Sequence, residues 1–97
     1  MTTPSLDTGY DIAAQVSVRP ESFGALLYHF GTRRLSFLKD PVLLAVVQQL
    51  PLQPTVRDAL MAADVAEADQ PRYLRSLGTL VATEMLVPRP TALQEMS

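Results

Sequence analysis

The spacing of apolar residues changes once along this chain, near residue 40, from a period of two to a helical period that persists to the C-terminal region. From Ile12, the positions Ile12, Ala14, Val16 and Val18 alternate with Ala13, Gln15, Ser17 and Arg19, which predicts a first strand with one buried face. Pro20 cannot donate to a sheet ladder and ends it, and Glu21-Ser22-Phe23-Gly24 forms a short connection. Leu26, Tyr28 and Phe30 then alternate with Leu27 and His29; Gly31-Thr32-Arg33-Arg34 supplies a turn, and Leu35 to Lys39 runs back as a third strand. Three strands with short links predict an antiparallel meander.

After Lys39, Asp40 has the character of a helix N-cap and Pro41 that of a first helical residue, opening a helix through Leu50 with Leu43, Val46, Val47 and Leu50 on one stripe. Val42 and Leu44 widen that stripe. Pro51 and Pro54 break the pattern, and Thr55 with Asp58 gives a capping-box-like start to a short second helix carrying Val56, Ala59, Leu60 and Ala63. A third helix is predicted from Asp69 to Pro71 through Val87, with Leu74, Leu77, Gly78, Val81 and Met85 on its apolar face, stopped by Pro88 and Pro90. The prediction is an α+β domain over residues 11–88, a three-stranded antiparallel sheet followed by three helices. Residues 1–10, small and polar around Pro4 and Gly9, read as a flexible N-terminal segment, and residues 89–97 as a flexible tail.

A hydrophobic fraction of 47% in 97 residues fills one modest core and leaves nothing for a second, so one domain carries the whole function. The net charge of -2 offers no overall basic field, and a nucleic-acid partner is not expected. With no cysteine, disulfides, thiolate catalysis and cysteine-based metal sites are all excluded. No apolar run approaches the roughly 20 residues of a membrane helix. The start M-T-T-P-S-L-D-T-G-Y has neither the basic flank nor the apolar centre of a secretion signal, so the expectation is a cytoplasmic, soluble protein without membrane contact.

Candidate chemistry is sparse. His29 is the sole histidine and lacks ligand partners; Asp64 and Glu67 sit in a connection; Met1, Met61, Met85 and Met96 form no cluster. No enzyme, metal or cofactor is expected. What remains is the third strand, which sets Leu35 and Phe37 on one side and Ser36 and Leu38 on the other. Two readings stand open: an edge that accepts an incoming peptide as an added strand, or a sheet simply buried on both faces. Arg33, Arg34 and Lys39 fall within seven positions free of acids, and Arg72 and Arg75 open the third helix, so five of the eight Lys and Arg residues could line one cleft and favour an acidic peptide. Tyr28 and Phe30 read as core aromatics and Tyr73 as the aromatic nearest such a cleft.

The segment L-L-Y-H-F-G-T-R-R-L-S-F-L-K-D-P-V-L-L-A-V-V-Q-Q-L resembles the PqqD-like family of precursor-peptide chaperones, first defined for pyrroloquinoline quinone, and V-R-P-E-S-F-G-A-L-L-Y-H-F-G-T-R-R-L-S-F-L-K is similar to that family's mycofactocin-biosynthesis branch. The resemblance covers Ile12 to Val87 and rests on apolar and turn residues. It implies a winged-helix-like peptide-recognition domain with no catalytic activity, which binds the leader of a ribosomally made precursor peptide and presents it to a radical S-adenosylmethionine maturase. It also implies that the leader adds as a strand at the edge Arg34-Leu35-Ser36-Phe37-Leu38-Lys39, beside Arg33, under a wall of Arg72, Tyr73, Arg75, Ser76, Thr79 and Leu80 from the third helix. Such an edge can equally pair with a second copy, giving a homodimer. The rival is a winged-helix DNA-binding regulator; Arg72 and Arg75 fit it, whereas Leu80, Glu84 and the net charge do not.

Overall fold

The computed structural model describes residues 4–89; the remainder of both predicted flexible ends lies outside the described residues. Strands β1 (Tyr10–Ile12), β2 (Val16–Glu21), β3 (Gly24–His29) and β4 (Leu35–Leu38) precede helices α1 (Pro41–Gln49), α2 (Val56–Ala62) and α3 (Gln70–Ala82), and β5 (Leu86–Pro88) follows them. β2, β3 and β4 form the predicted antiparallel meander with β3 central. Its register pairs Val18 with Leu27 and Leu27 with Ser36, so Val16, Val18, Ala25, Leu27, His29, Ser36 and Leu38 share one face. Ala25, Leu27 and Leu38 of that face are buried against Val46, Val47 and Leu50 of α1, Ala59 and Leu60 of α2, and Leu77 and Leu80 of α3. All three helices lie on this one side of the sheet.

Two of the predicted helix starts are realised as capped termini. The Asp40 carboxylate accepts the Val42 N–H at 2.8 Å with Pro41 as the first helical residue, and Thr55 Oγ accepts the Asp58 N–H at 3.2 Å. The free N–H groups at the start of α2 are met from outside: Val56 donates to the Thr8 carbonyl and Arg57 to that of Leu6, each at 2.9 Å. Asp7 adds an ion pair to Arg57. Residues 4–9, read from the sequence as part of a lead-in, are thus laid against α2.

The first predicted strand is two. β1 leaves the meander and pairs antiparallel with β5, setting Ile12 opposite Leu86 and Tyr10 opposite Pro88. Pro20 stays within β2, on an edge strand where its missing N–H costs no ladder bond that another strand would need. The third helix is also shorter than predicted: it stops at Ala82, and Leu86 to Pro88 are extended. The stop is a Schellman motif in which Met85 N–H donates to the Leu80 carbonyl at 2.8 Å and Glu84 N–H to that of Val81 at 3.1 Å, with Glu84 left-handed at φ 66°. α2 ends the same way, with Asp64 at φ 60° and Val65 donating to Leu60. Both positions usually belong to glycine, which is why the sequence did not mark them. Arg89 secures the returning strand by donating to the Leu50 and Pro51 carbonyls at 3.2 Å and to Gln53, beside an ion pair with Asp11.

Glycine is required where β3 begins. Gly24 has φ 142°, and a Cβ there would run into the Leu38 carbonyl of β4. Gly24→Ala is expected to lower unfolding free energy by about 2 kcal/mol through backbone strain, whereas Glu84→Gly is expected to raise it by up to about 1 kcal/mol; denaturant titration of both variants measures the two signs.

Candidate peptide-binding site

β4 is an edge strand, and its hydrogen-bond phase can be followed from the turn. His29 N–H donates to the Arg34 carbonyl at 3.0 Å, in register with the pairs Leu27·Ser36 and Ala25·Leu38. Antiparallel pairs alternate between hydrogen-bonded and non-bonded, so the intervening Leu35 and Phe37 turn their N–H and C=O groups away from β3, toward the open edge. Their side chains stand on the face opposite the helices, 54% and 58% exposed, whereas Ser36 is half-buried and Leu38 buried on the core side. The expectation that both faces of this strand carry apolar side chains holds, and the helices cover only one of them.

The turn that orients β4 depends on His29. Its imidazole is buried and Nδ1 accepts the N–H groups of Gly31 and Thr32, each at 3.0 Å. His29, which has no ligand partners in the sequence, thus serves the turn, and Arg33 follows in a left-handed conformation at φ 62°. Arg33 and Arg34 are exposed at this end of β4, and Lys39 is exposed at the other.

The residues expected on the third helix divide into two stripes. Arg72, Arg75, Ser76 and Thr79 follow one another at i, i+3, i+4 and i+7 on the outer side, Arg72, Arg75 and Thr79 exposed and Ser76 half-buried. Tyr73, Leu77 and Leu80 form the buried stripe, with Tyr73 5% and Leu80 3% exposed. Tyr73 and Leu80 were expected on the wall of a cleft; they belong to the core, because the helix phase is set by Leu77 together with these two rather than by Leu74 and Val81, which are half-buried. Ser76 and Thr79 hydroxyls donate to the carbonyls of Arg72 and Arg75, four residues back in their own helix.

Tyr73 nevertheless ties the helix to the end of β4. Its hydroxyl donates to the Asp40 carboxylate at 2.6 Å, while Arg72 lies 4.8 Å from the centre of the Tyr73 ring and pairs with Asp69 at 3.8 Å. Asp40 therefore caps α1 and holds α3 at once. The Tyr73 hydrogen bond, ahead of the backbone N–H groups of Val42 and Leu43 and the Arg72 charge, holds the Asp40 carboxyl below the usual aspartate range against an opposing desolvation penalty. The same bond, with burial, pushes the Tyr73 phenol up.

The sequence reading misplaced the aromatic side chains of the sheet. Tyr28 and Phe30 were expected in the core, yet the register sets Leu26, Tyr28, Leu35 and Phe37 on the open face, where Tyr28 and Phe30 meet edge to face at 5.0 Å. Phe23 packs against Phe37 at 6.2 Å. A shallow groove of about 370 Å³ runs across this face between Ser17, Arg19, Leu26, Tyr28, Phe30 and Leu35. The signal lay in the alternation itself: the small or hydrogen-bonded side chains Ala25 and His29 share parity with Leu27, which left the bulkier set to face outward. Among the described residues, no cluster of three potential metal ligands occurs, and no helix is long and apolar enough to cross a membrane.

Residues 9–87 match the family described as the Peptide chaperone MftB family. The chain is 55% identical to Peptide chaperone MftB of Mycobacterium tuberculosis over 85 residues, which is 88% of this chain and 78% of that protein. It is 54% identical to the Peptide chaperone MftB of Mycobacterium ulcerans over 86% of this chain and 76% of that protein, and 55% identical to that of Mycolicibacterium smegmatis over 84% and 80%. No solved structure gives a significant match.

Asp40 stabilises the fold only when ionised, so its contribution is complete above the ordinary aspartate value of about 4 and is lost as pH falls through its lower folded value. Tyr73, raised on folding, contributes below the ordinary phenol value of about 10, and that share is lost as pH climbs through the folded value. Tyr73→Phe is expected to cost about 1–2 kcal/mol at neutral pH and to flatten both limbs of the stability profile, as read by thermal unfolding across pH.

Proposed function

The chain belongs to the Peptide chaperone MftB family, and from that membership we propose that it binds the leader of the mycofactocin precursor peptide as an added strand on β4 and hands the peptide to a radical S-adenosylmethionine maturase. The family is named for peptide chaperoning and not for catalysis, and nothing in the comparisons favours the DNA-binding rival. The observation that carries the site is the outward-facing backbone of Leu35 and Phe37 on an edge strand whose register is fixed by β3.

The physical logic is one of divided labour. An edge strand pairs with a flexible chain through main-chain groups, so the backbone supplies affinity while Arg33, Arg34 and Lys39 at the two ends of β4 steer an acidic leader. Arg72, beside Tyr73 and Asp40, and Arg75 one turn on add positive charge on the outer stripe of α3. Ser76 and Thr79 offer hydroxyls on that stripe. Tyr73 and Leu80 act from beneath, holding α3 in place rather than touching the peptide. Leader capture keeps the modifiable end of the precursor free and raises its effective concentration at the maturase. This work takes place in the cytoplasm, where the precursor is made. Without peptide, the same edge is open to a second copy, so self-pairing and leader binding compete for it.

Calorimetric titration with the leader peptide is expected to give micromolar or tighter binding that Leu35→Pro and Phe37→Pro each abolish with circular dichroism unchanged, since both prolines remove donors that β3 does not use. A leader N-methylated at alternate residues reads the same bonds from the peptide side. Its affinity is expected to fall about tenfold or more in one phase of methylation and to remain unchanged in the other. Absence of leader binding would overturn the chaperone reading, and binding indifferent to both prolines and both phases would move the site off β4.

A further inference from the structure

Tyr73 aside, His29 is the one polar side chain buried among the described residues, 7% exposed at the last position of β3, where the chain turns toward β4. The amides of that turn converge on it. Nδ1 accepts the Gly31 and Thr32 N–H groups, each at 3.0 Å, and the His29 carbonyl accepts that of Arg33 at 2.7 Å, while its own N–H closes the loop on the Arg34 carbonyl at 3.0 Å. The other amides from Phe30 to Arg34 go elsewhere: Phe30 donates to the Gln15 carbonyl at 2.8 Å and Arg34 to Thr32 Oγ at 3.3 Å. Gly31 lets the ring come this close, since a Cβ there would lie 2.9 Å from Cε1 of the imidazole.

The bonding pattern fixes the chemical form of the ring. A nitrogen that accepts two N–H bonds carries no proton, so the imidazole is neutral with its hydrogen on Nε2. Acceptance from residues two and three positions on is the pattern of an Asx turn, in which the side-chain oxygen of an asparagine or aspartate lies one bond beyond Cγ, as Nδ1 does here. An asparagine can therefore take over both bonds, whereas a leucine fills the buried site and accepts neither. Position 29 must supply bulk to the inner face and an acceptor to the turn, and these two substitutions separate the requirements.

The turn itself is exposed, so water can replace a lost acceptor, and the loss of Nδ1 falls less on the core than on the conformation of the loop. That conformation bears on the edge at two places. Arg33 is held at φ 62°, a region that a non-glycine residue keeps only where its surroundings impose it. The Arg34 carbonyl is turned inward to the His29 N–H, which leaves the next residue, Leu35, with its N–H and C=O on the open side. The far end of β4 is held separately, by burial of Leu38 and the Asp40 cap. We propose that His29 is a positioning residue for leader capture, which through Nδ1 holds the turn so that Arg33 and the outward backbone of Leu35 are preset for the incoming strand. The inference rests on the strand-addition reading above and assigns control of its affinity to a side chain that does not touch the peptide. A preset turn spares the ordering that a loose one would undergo on binding.

The test compares His29→Asn and His29→Leu in calorimetric titration with the leader peptide, beside thermal unfolding and the imidazole nitrogen NMR spectrum of the wild-type protein. His29→Asn is expected to keep leader affinity within about threefold of wild type although it melts lower, having lost buried bulk in a strand. His29→Leu is expected to melt above His29→Asn yet bind leader at least about tenfold more weakly than wild type. A side chain that served stability alone would make affinity follow melting temperature, the opposite order. Should His29→Leu not fold, His29→Gln, whose side-chain oxygen lies one bond too far, carries the same expectation of weakened binding. In the wild-type spectrum Nδ1 is expected to resonate as the unprotonated nitrogen and Nε2 as the protonated one. Undiminished affinity in His29→Leu, lost affinity in a folded His29→Asn, or a proton on Nδ1 would each overturn the proposal. A wild-type protein that binds no leader would overturn the strand-addition reading and this one with it; where the positioning role alone fails, the wild type binds and the variants do not diverge.

Discussion

The burial of one face of β3 is the constraint on which the rest of this structure depends. β3 is the central strand, hydrogen-bonded on both sides, and Ala25 and Leu27 on its inner face are completely enclosed. Among the described residues, the three helices cover that side of the sheet alone. With period two in the strands, fixing Leu27 inward fixes Leu26 and Tyr28 outward, and pairing then carries Leu35 and Phe37 with them. The apolar open face and the orientation of the β4 backbone are therefore consequences of how the core is filled, and they cannot be adjusted independently of it.

A second point of convergence is Asp40. One carboxylate ends the link from β4, caps α1 and accepts the Tyr73 hydroxyl from α3. Ionised, with two hydrogen-bond donors and the Arg72 guanidinium nearby, it joins the edge strand to both helices by charge-assisted bonds that need no large contact area. This matters because β4 is only four residues long and, among the described residues, no strand lies beside its outer edge. A short edge strand keeps its register only where its ends are held; His29 holds one through the Gly31 and Thr32 amides, and Asp40 holds the other.

Much of this was legible in the sequence wherever local chemistry decided the outcome. The D-P start of α1, the Thr55 cap of α2, the hairpin turn after Phe30 and the core stripe Leu43, Val46, Val47 and Leu50 all follow from spacing and side-chain type. The misreadings share another cause. Glu84 and Asp64 close helices in a left-handed conformation that sequence usually signals with glycine, so α3 ran on too far and β5 went unseen. Tyr73 and Leu80 were displaced by the uncertain phase of α3, which Leu74 and Val81 set as plausibly as Tyr73 and Leu77 until the sheet beneath was known. The aromatics were assigned inward because large apolar side chains are usually buried, whereas the described helices here cover only the opposite face.

On the proposed strand addition, the β4 backbone and the side chains beside it differ in what they can discriminate. Main-chain pairing along β4 is nearly indifferent to sequence, so by itself it would accept many extended peptides; charged side chains at Arg33, Arg34 and Lys39 bias it without specifying it. The open face is the reverse, a surface of fixed side chains around a shallow groove. Leu35 and Phe37 turn their backbone to the edge and their side chains to the open face, so a strand added at the edge would extend that face.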